Sequence, residues 1–144
     1  MPRLSESVEI ARPAEEVWRL LGEPERWVEG YVETRSRSPE YPGSHTRNDH
    51  VFRTRIKEHV SVRVVRSEQP VDLEESHEGK TFSRRLSYRL SPTDGGTRLT
   101  VEDEIAFKGL ARLAAPLALL DVKRRWSRSL ANLRAAVEAT APPA

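Results

Sequence analysis

The chain has 144 residues, of which 32% are charged, so its apolar core must be modest. Basic and acidic residues number 24 and 22 and are interspersed, leaving a net charge of +2, so no nucleic-acid footprint or acidic tail follows from the balance. The absence of cysteine excludes disulfides, thiolate chemistry and Cys-built zinc sites. No window approaches the ~18 apolar residues of a membrane span. Met1-Pro2-Arg3-Leu4-Ser5-Glu6 has no apolar signal-peptide core. A cytoplasmic protein with one domain over residues 1–144 is the expectation.

Ser5–Ala11 alternates, with Glu6, Val8 and Ile10 on one face, and reads as a first strand. Pro13 pre-sets a helix start, and Glu15 and Glu16 suit the first turn of its dipole. Val17, Trp18, Leu20 and Leu21 give that helix an apolar face, which ends at Gly22. Trp18 belongs to the core. Pro24 restarts a short helical turn through Val28, ended by Gly30.

From Tyr31 to Phe107 the period is two. Tyr31–Arg37 is a strand, and Ser38–Ser44 is a loop by its two prolines and glycine. Thr46–Gln69 is too long for one strand, and the turn it requires is placed near Ile56-Lys57-Glu58, without a Gly or Pro to mark it. Val60, Val62 and Val64 share a face. Val71–Glu78 forms the next strand. Thr81–Leu90 and Thr97–Phe107 flank Ser91-Pro92-Thr93-Asp94-Gly95-Gly96, the clearest hairpin signal in the chain. Pairing Leu90 with Leu99 sets Tyr88 opposite Val101, Leu86 opposite Asp103 and Arg84 opposite Ile105. Phe82, Leu86, Tyr88 and Leu90 then share the inner face with Leu99, Val101, Ile105 and Phe107, and Arg84 and Asp103 come with them.

Gly109–Ala139 reads as a long C-terminal helix. At about 100° per residue, Leu119, Val122, Trp126, Leu130, Leu133 and Val137 form one stripe. Roughly 20 residues at ~1.5 Å rise span ~30 Å, the width of a small domain. Leu110, Leu113, Leu117 and Leu120 form a second stripe about half a turn away. Either the Leu110–Leu120 segment closes a cavity, the preferred reading, or its stripe is exposed and meets a partner. Pro116 predicts a kink or break. The run from Lys123 to Arg128 reads as a solvated helix face in preference to a surface for RNA or an acidic partner. Thr140–Ala144 reads as a frayed end.

The order is strand, two short helices, six further antiparallel strands, long helix, an α+β layered arrangement. Val8-Glu9-Ile10-Ala11-Arg12-Pro13-Ala14-Glu15-Glu16-Val17-Trp18-Arg19-Leu20-Leu21 resembles the opening of START-like (SRPBCC, Bet v 1-like) proteins, and Pro24-Glu25-Arg26-Trp27 continues it. Gly95-Gly96-Thr97-Arg98-Leu99-Thr100 is similar to the family's last hairpin. Leu130-Ala131-Asn132-Leu133-Arg134-Ala135-Ala136-Val137-Glu138 is similar to its closing helix. The resemblance covers nearly the whole chain. It implies a helix-grip fold, in which a curved seven-stranded antiparallel sheet surrounds the C-terminal helix and leaves a cavity. Members include polyketide cyclases and aromatases, lipid carriers and hormone receptors. The segment His59–Glu78 departs from the pattern by carrying more charge than a purely apolar binder needs.

A curved sheet cannot lie flush along a rigid helix, so a cleft is expected there on geometric grounds as well. Trp27, Phe52, Phe82, Tyr88 and Trp126, with Leu117 and Val122 from the helix, are the candidate lining; for Trp126 and Phe82 plain core is the preferred reading. A buried Tyr88 phenol needs a partner and can orient a ligand. Glu75 and His77 share parity with Val71 and Leu73 and are weak catalytic candidates. Arg84 and Asp103 form either a polar cavity wall or a structural pair. His45, His50 and His59 make no metal motif, and no nucleophile elbow or phosphate loop is present. The expectation is therefore a binder of a small hydrophobic or amphipathic molecule, lipid or aromatic polyketide-like, without a cofactor, and monomeric or homodimeric. The alternatives are a polyketide cyclase or dehydratase-type enzyme and an interaction module.

Overall fold

A computed structural model of the chain describes residues 2–53 and 57–139. The strands are β1 (Arg3–Ile10), β2 (Tyr31–Arg37), β3 (Arg47–Arg53), β4 (Lys57–Glu68), β5 (Asp72–Glu78), β6 (Phe82–Thr93) and β7 (Gly96–Phe107). They form one antiparallel seven-stranded sheet in the order β1-β7-β6-β5-β4-β3-β2. The helices are α1 (Ala14–Leu21) and α2 (Ala115–Glu138), with 3-10 turns at Pro24–Arg26 and Gly109–Ala114. The sheet curves around α2 as a helix-grip fold requires.

Local chemistry accounts for most of the boundaries. Pro13, extended at φ −64° and ψ 157°, leads directly into α1, and Gly22 ends it by donating its N–H to Trp18 and Arg19 carbonyls. The β6–β7 register is the expected one, with Leu90 opposite Leu99, Leu86 opposite Asp103 and Arg84 opposite Ile105. The hairpin is tighter than the sequence suggests, however. Ser91–Thr93 and Gly96 pair within the strands, and only Asp94 and Gly95 remain as the turn. Two-residue turns match strand twist and hold register firmly.

Two other expectations are corrected. Lys57 and Glu58 are not turn residues; they open β4, paired with Arg53 and Phe52, while Ile56 lies outside the described residues. Val71 precedes β5 and is exposed rather than sharing the inner face with Leu73. The break expected at Pro116 is present, as a change from 3-10 turn to α-helix and not as a kink inside a helix. Pro116 occupies the first turn of α2, where a missing N–H breaks no bond, and the chain before it is the 3-10 turn. Thr140–Ala144 lies outside the described residues.

The core is continuous across layers: Val17, Trp18, Leu20 and Leu21 of α1, Leu73, Leu86, Leu90 and Leu99 of the sheet, and Trp126, Leu130, Leu133 and Val137 of α2. Polar bonds pin the C-terminal part of α2. Glu138 Oε2 accepts the Ala11 N–H at 2.8 Å, Ser129 Oγ accepts the Glu29 N–H at 2.9 Å, and Asn132 Nδ2 donates to the Trp27 carbonyl at 3.3 Å. Gly30 makes the chain's entry into β2 possible. It sits at φ +86°, and a Cβ there would fall 2.5 Å from the Arg53 carbonyl oxygen.

Candidate functional site

Between the inner face of the sheet and the N-terminal half of α2 lies a cavity of about 350 Å³. That volume is within the range of small-molecule sites. Its wall comes from β3 through β7, its far side from Trp27 and Val28, and its lid from Ala111, Ala114, Leu117, Ala118 and Val122. Three aromatic rings form one side of it. Trp27 meets Tyr88 edge-on at 6.4 Å between centroids, Tyr88 meets Trp126 edge-on at 6.2 Å, and the two tryptophans are 6.4 Å apart. Edge-on contacts at these separations fix ring planes. Trp27 is further held by its Nε1 donating to the Leu20 carbonyl at 2.6 Å.

The polar groups divide into those already satisfied and those that are not. Arg84 Nε donates to Asp103 Oδ1 at 3.1 Å, a second guanidinium nitrogen meets Oδ2, and Trp126 Nε1 donates to the same Oδ2 at 2.9 Å. Asp103, 1% exposed, thus fixes Trp126 from behind. Glu75 accepts the Tyr41 hydroxyl on Oε2 and lies 3.1 Å through Oε1 from His77 Nε2. Both Glu75 and His77 are buried. One buried atom of the lining has no partner among the described residues, His50 Nε2; the Tyr88 phenol lines the same cavity.

Their ionisation follows from burial. His50 uses Nδ1 toward Thr34 Oγ1 at 3.0 Å. Burial first, then the neighbouring His77 and Arg37, lower its pKa from the ordinary 6.5 to about 4, so the ring is neutral at pH 7. Burial, reinforced by the charge of Glu75, pushes the Tyr88 phenol well above its usual value and keeps it a donor. Tyr41 is raised for the same two reasons, and its hydrogen bond to Glu75 adds to the rise.

Of the expected lining, Trp27, Phe52, Phe82, Arg84, Tyr88, Leu117, Val122 and Trp126 lie on the cavity, as do Glu75 and His77. Asp103 does not; its oxygens are consumed by Arg84 and Trp126 behind the wall. The Leu110–Leu120 segment closes the cavity, as preferred, but mainly with its alanines and not its leucines. Leu110, Leu113 and Leu120 point away, Leu117 touches only the rim at 63% exposure, and the alanines between them face inward. The sequence reading missed Tyr41 and His50. Tyr41 arrives from the loop before β3, where no periodicity reports orientation. His50 shares parity with Phe52, a signal that was present. Among the described residues no group of three His, Cys, Asp or Glu side chains is placed to hold a metal ion.

A curved antiparallel sheet gripping a C-terminal helix over an apolar cavity defines the class of helix-grip ligand-cavity proteins. The chain belongs to the family described as polyketide cyclase / dehydrase and lipid transport, which matches residues 1–138. This places it in the START-like, Bet v 1-like superfamily. No curated protein matches the chain. Among solved structures it is similar to TTHA0849 from Thermus thermophilus, with TM-score 0.82 and 17% identity over 98% of this chain and 100% of that one. It is similar to CV1439 from Chromobacterium violaceum, with TM-score 0.74 and 16% identity over 96% and 98%. It is also similar to Ara h 8.0201, with TM-score 0.73 and 13% identity over 96% and 99%. At these identities the likeness is one of fold.

Proposed function

We propose that the chain binds one small hydrophobic or amphipathic molecule, lipid or aromatic polyketide-like, between the sheet and α2. The observation that carries this reading is the pairing of a mostly apolar 350 Å³ cavity with an unpartnered His50 Nε2 and a Tyr88 phenol on its wall. The apolar body of the ligand rests against Trp27, Phe52, Phe82, Val122 and Trp126. Its oxygen function is met by the Tyr88 hydroxyl, a neutral donor, and by Nε2 of neutral His50. Such a site rejects a fully apolar guest, because buried donors and acceptors are then left unpaired. Thermal unfolding in the presence of fatty acids, flavonoids and aromatic polyketides tests it. A ligand at about a hundred times its Kd stabilises by ~2.7 kcal/mol. We expect hydroxylated or carboxylated members to raise the midpoint and their deoxygenated analogues to do less. Absence of stabilisation by every class ends the proposal.

One observation favours a second reading, an enzyme of the polyketide cyclase or dehydratase type. Glu75 and His77 form a buried hydrogen-bonded pair on the cavity wall, the arrangement proton transfer at a ligand carbonyl requires. Glu75→Gln keeps the size of the side chain and removes the base. Turnover of a poly-β-keto substrate that is lost in this variant, with binding retained, supports the enzyme; turnover equal to that of the wild type removes it.

A further inference from the structure

The lid of the cavity presents two faces of opposite character. Ala111, Ala114 and Ala118 face the cavity. Leu110, Leu113, Leu117 and Leu120 are 85, 83, 63 and 62% exposed. Within α2, Leu117, Leu120 and Arg124 fall inside about 60° of one another, on the side opposite Trp126 and Leu133. Leu110, Leu113 and Leu120 are thus turned away from the cavity and Leu117 is mostly exposed, although alanines line the lid's interior.

The charge around these leucines is of one sign. Arg112, Lys123 and Arg124 are exposed, and none has an ion-pair partner among the described residues. Asp121 is taken by Arg125 at 2.8 Å, and Lys108 by Glu78 at 2.7 Å. This composition selects among occupants. A second copy meeting through the same stripe would set Arg112, Lys123 and Arg124 against their own equivalents, a like-charge encounter that opposes a symmetric dimer. An acidic protein partner would find four leucines and no Trp or Tyr anchor on the stripe, and leucine is under-represented among the residues that dominate protein interfaces. An anionic lipid surface satisfies both features, with the acyl boundary for the leucines and phosphates for the cations. No helix among the described residues is long and apolar enough to cross a membrane, so the contact is one of lying on the surface.

We propose that residues 108–124 form a docking surface for an anionic bilayer, with Leu110, Leu113, Leu117 and Leu120 in the acyl boundary and Arg112, Lys123 and Arg124 at the phosphates. Docking there sets the alanine-lined lid against the membrane. The proposal does not depend on what the cavity holds.

Sedimentation of the full chain with vesicles tests it. One set is pure phosphatidylcholine and the other is equal parts phosphatidylcholine and phosphatidylglycerol. The chain is expected to sediment with the mixed vesicles, to bind pure phosphatidylcholine far less, and to be released by added salt. Neutralising all three cations (Arg112→Gln, Lys123→Gln, Arg124→Gln) is expected to weaken binding on the order of 100-fold, since each contributes about fivefold near an anionic surface. Leu110→Ser, Leu113→Ser and Leu120→Ser together are expected to abolish sedimentation while circular dichroism stays that of the wild type. These positions make no cavity contact, so a variant that still folds remains informative. Failure of the wild type to sediment with mixed vesicles overturns the proposal. So does equal binding by the leucine variant, equal binding to both vesicle sets, or a dimer in solution that Leu113→Ser dissociates.

Discussion

One helix serves as core at one end and as cavity wall at the other. From Trp126 to Val137 every turn of α2 places a large apolar side chain in the interior, and Ser129, Asn132 and Glu138 tie its flanks to neighbouring backbone. From Ala115 to Val122 the inward positions are small or half-buried, and the preceding 3-10 turn buries no residue at all. The contrast lies in side-chain volume and not in helix geometry. Where the inward residue is leucine or tryptophan the gap to the sheet is filled, and where it is alanine a space of ligand size remains.

The sharpest way to break that contrast is to shorten a core residue. Leu133 is fully buried in the pinned half. Leu133→Ala should destabilise the fold by about 2–5 kcal/mol, the range for a buried leucine whose surroundings relax only in part. Chemical denaturation with an unchanged slope and a lowered midpoint is the expected result. A loss no greater than that of an exposed site would mean that this half of α2 is not the core.

A smaller and pH-dependent effect sharpens the cavity side of the comparison. His50 has a folded pKa of about 4, below its ordinary 6.5. The unfolded chain therefore takes up the proton first as pH falls. Stability associated with neutral His50 is complete above about pH 6.5 and is lost progressively as pH falls toward about 4. His77 and Arg37 push the value down, while Glu75 and Glu25 oppose them. His50→Gln removes this titration, so the difference in midpoint between variant and wild type should change across that window and be constant above it. A difference that is flat throughout would show that His50 is hydrated.

How far the sequence reached follows the same division. The β6–β7 register was legible because a Gly-containing turn and strict alternation leave one pairing that buries Leu90, Leu99 and Val101 together. The core stripe of α2 was legible because leucine, tryptophan and valine recur at helical spacing. The β3–β4 reversal was not, since no Gly or Pro marks it. On the lid, hydrophobicity itself misleads. A pattern reading sends leucines inward, but of the four leucines of the stripe only Leu117 reaches the cavity, and Ala111, Ala114 and Ala118, spaced three and four apart, line it. That spacing was visible; its meaning depends on a sheet that curves away from the helix, which no local window contains. Tyr41 and Glu75 are 34 positions apart and meet only after β4 and β5 have paired.

The smallest expected effect comes from the outward leucines. Leu120, on the same helix and only 13 positions before Leu133, is 62% exposed and makes no cavity contact. Leu120→Ala should change stability by no more than about 0.5 kcal/mol, as exposed substitutions do when no cap, pair or core contact is lost. Alanine also has the higher helix propensity, which offsets part of any packing loss. The same denaturation measurement used for Leu133→Ala gives the ratio of the two losses. A ratio near one would require Leu120 to be covered in solution by another surface, and a ratio of several-fold leaves its side chain free for the lipid contact.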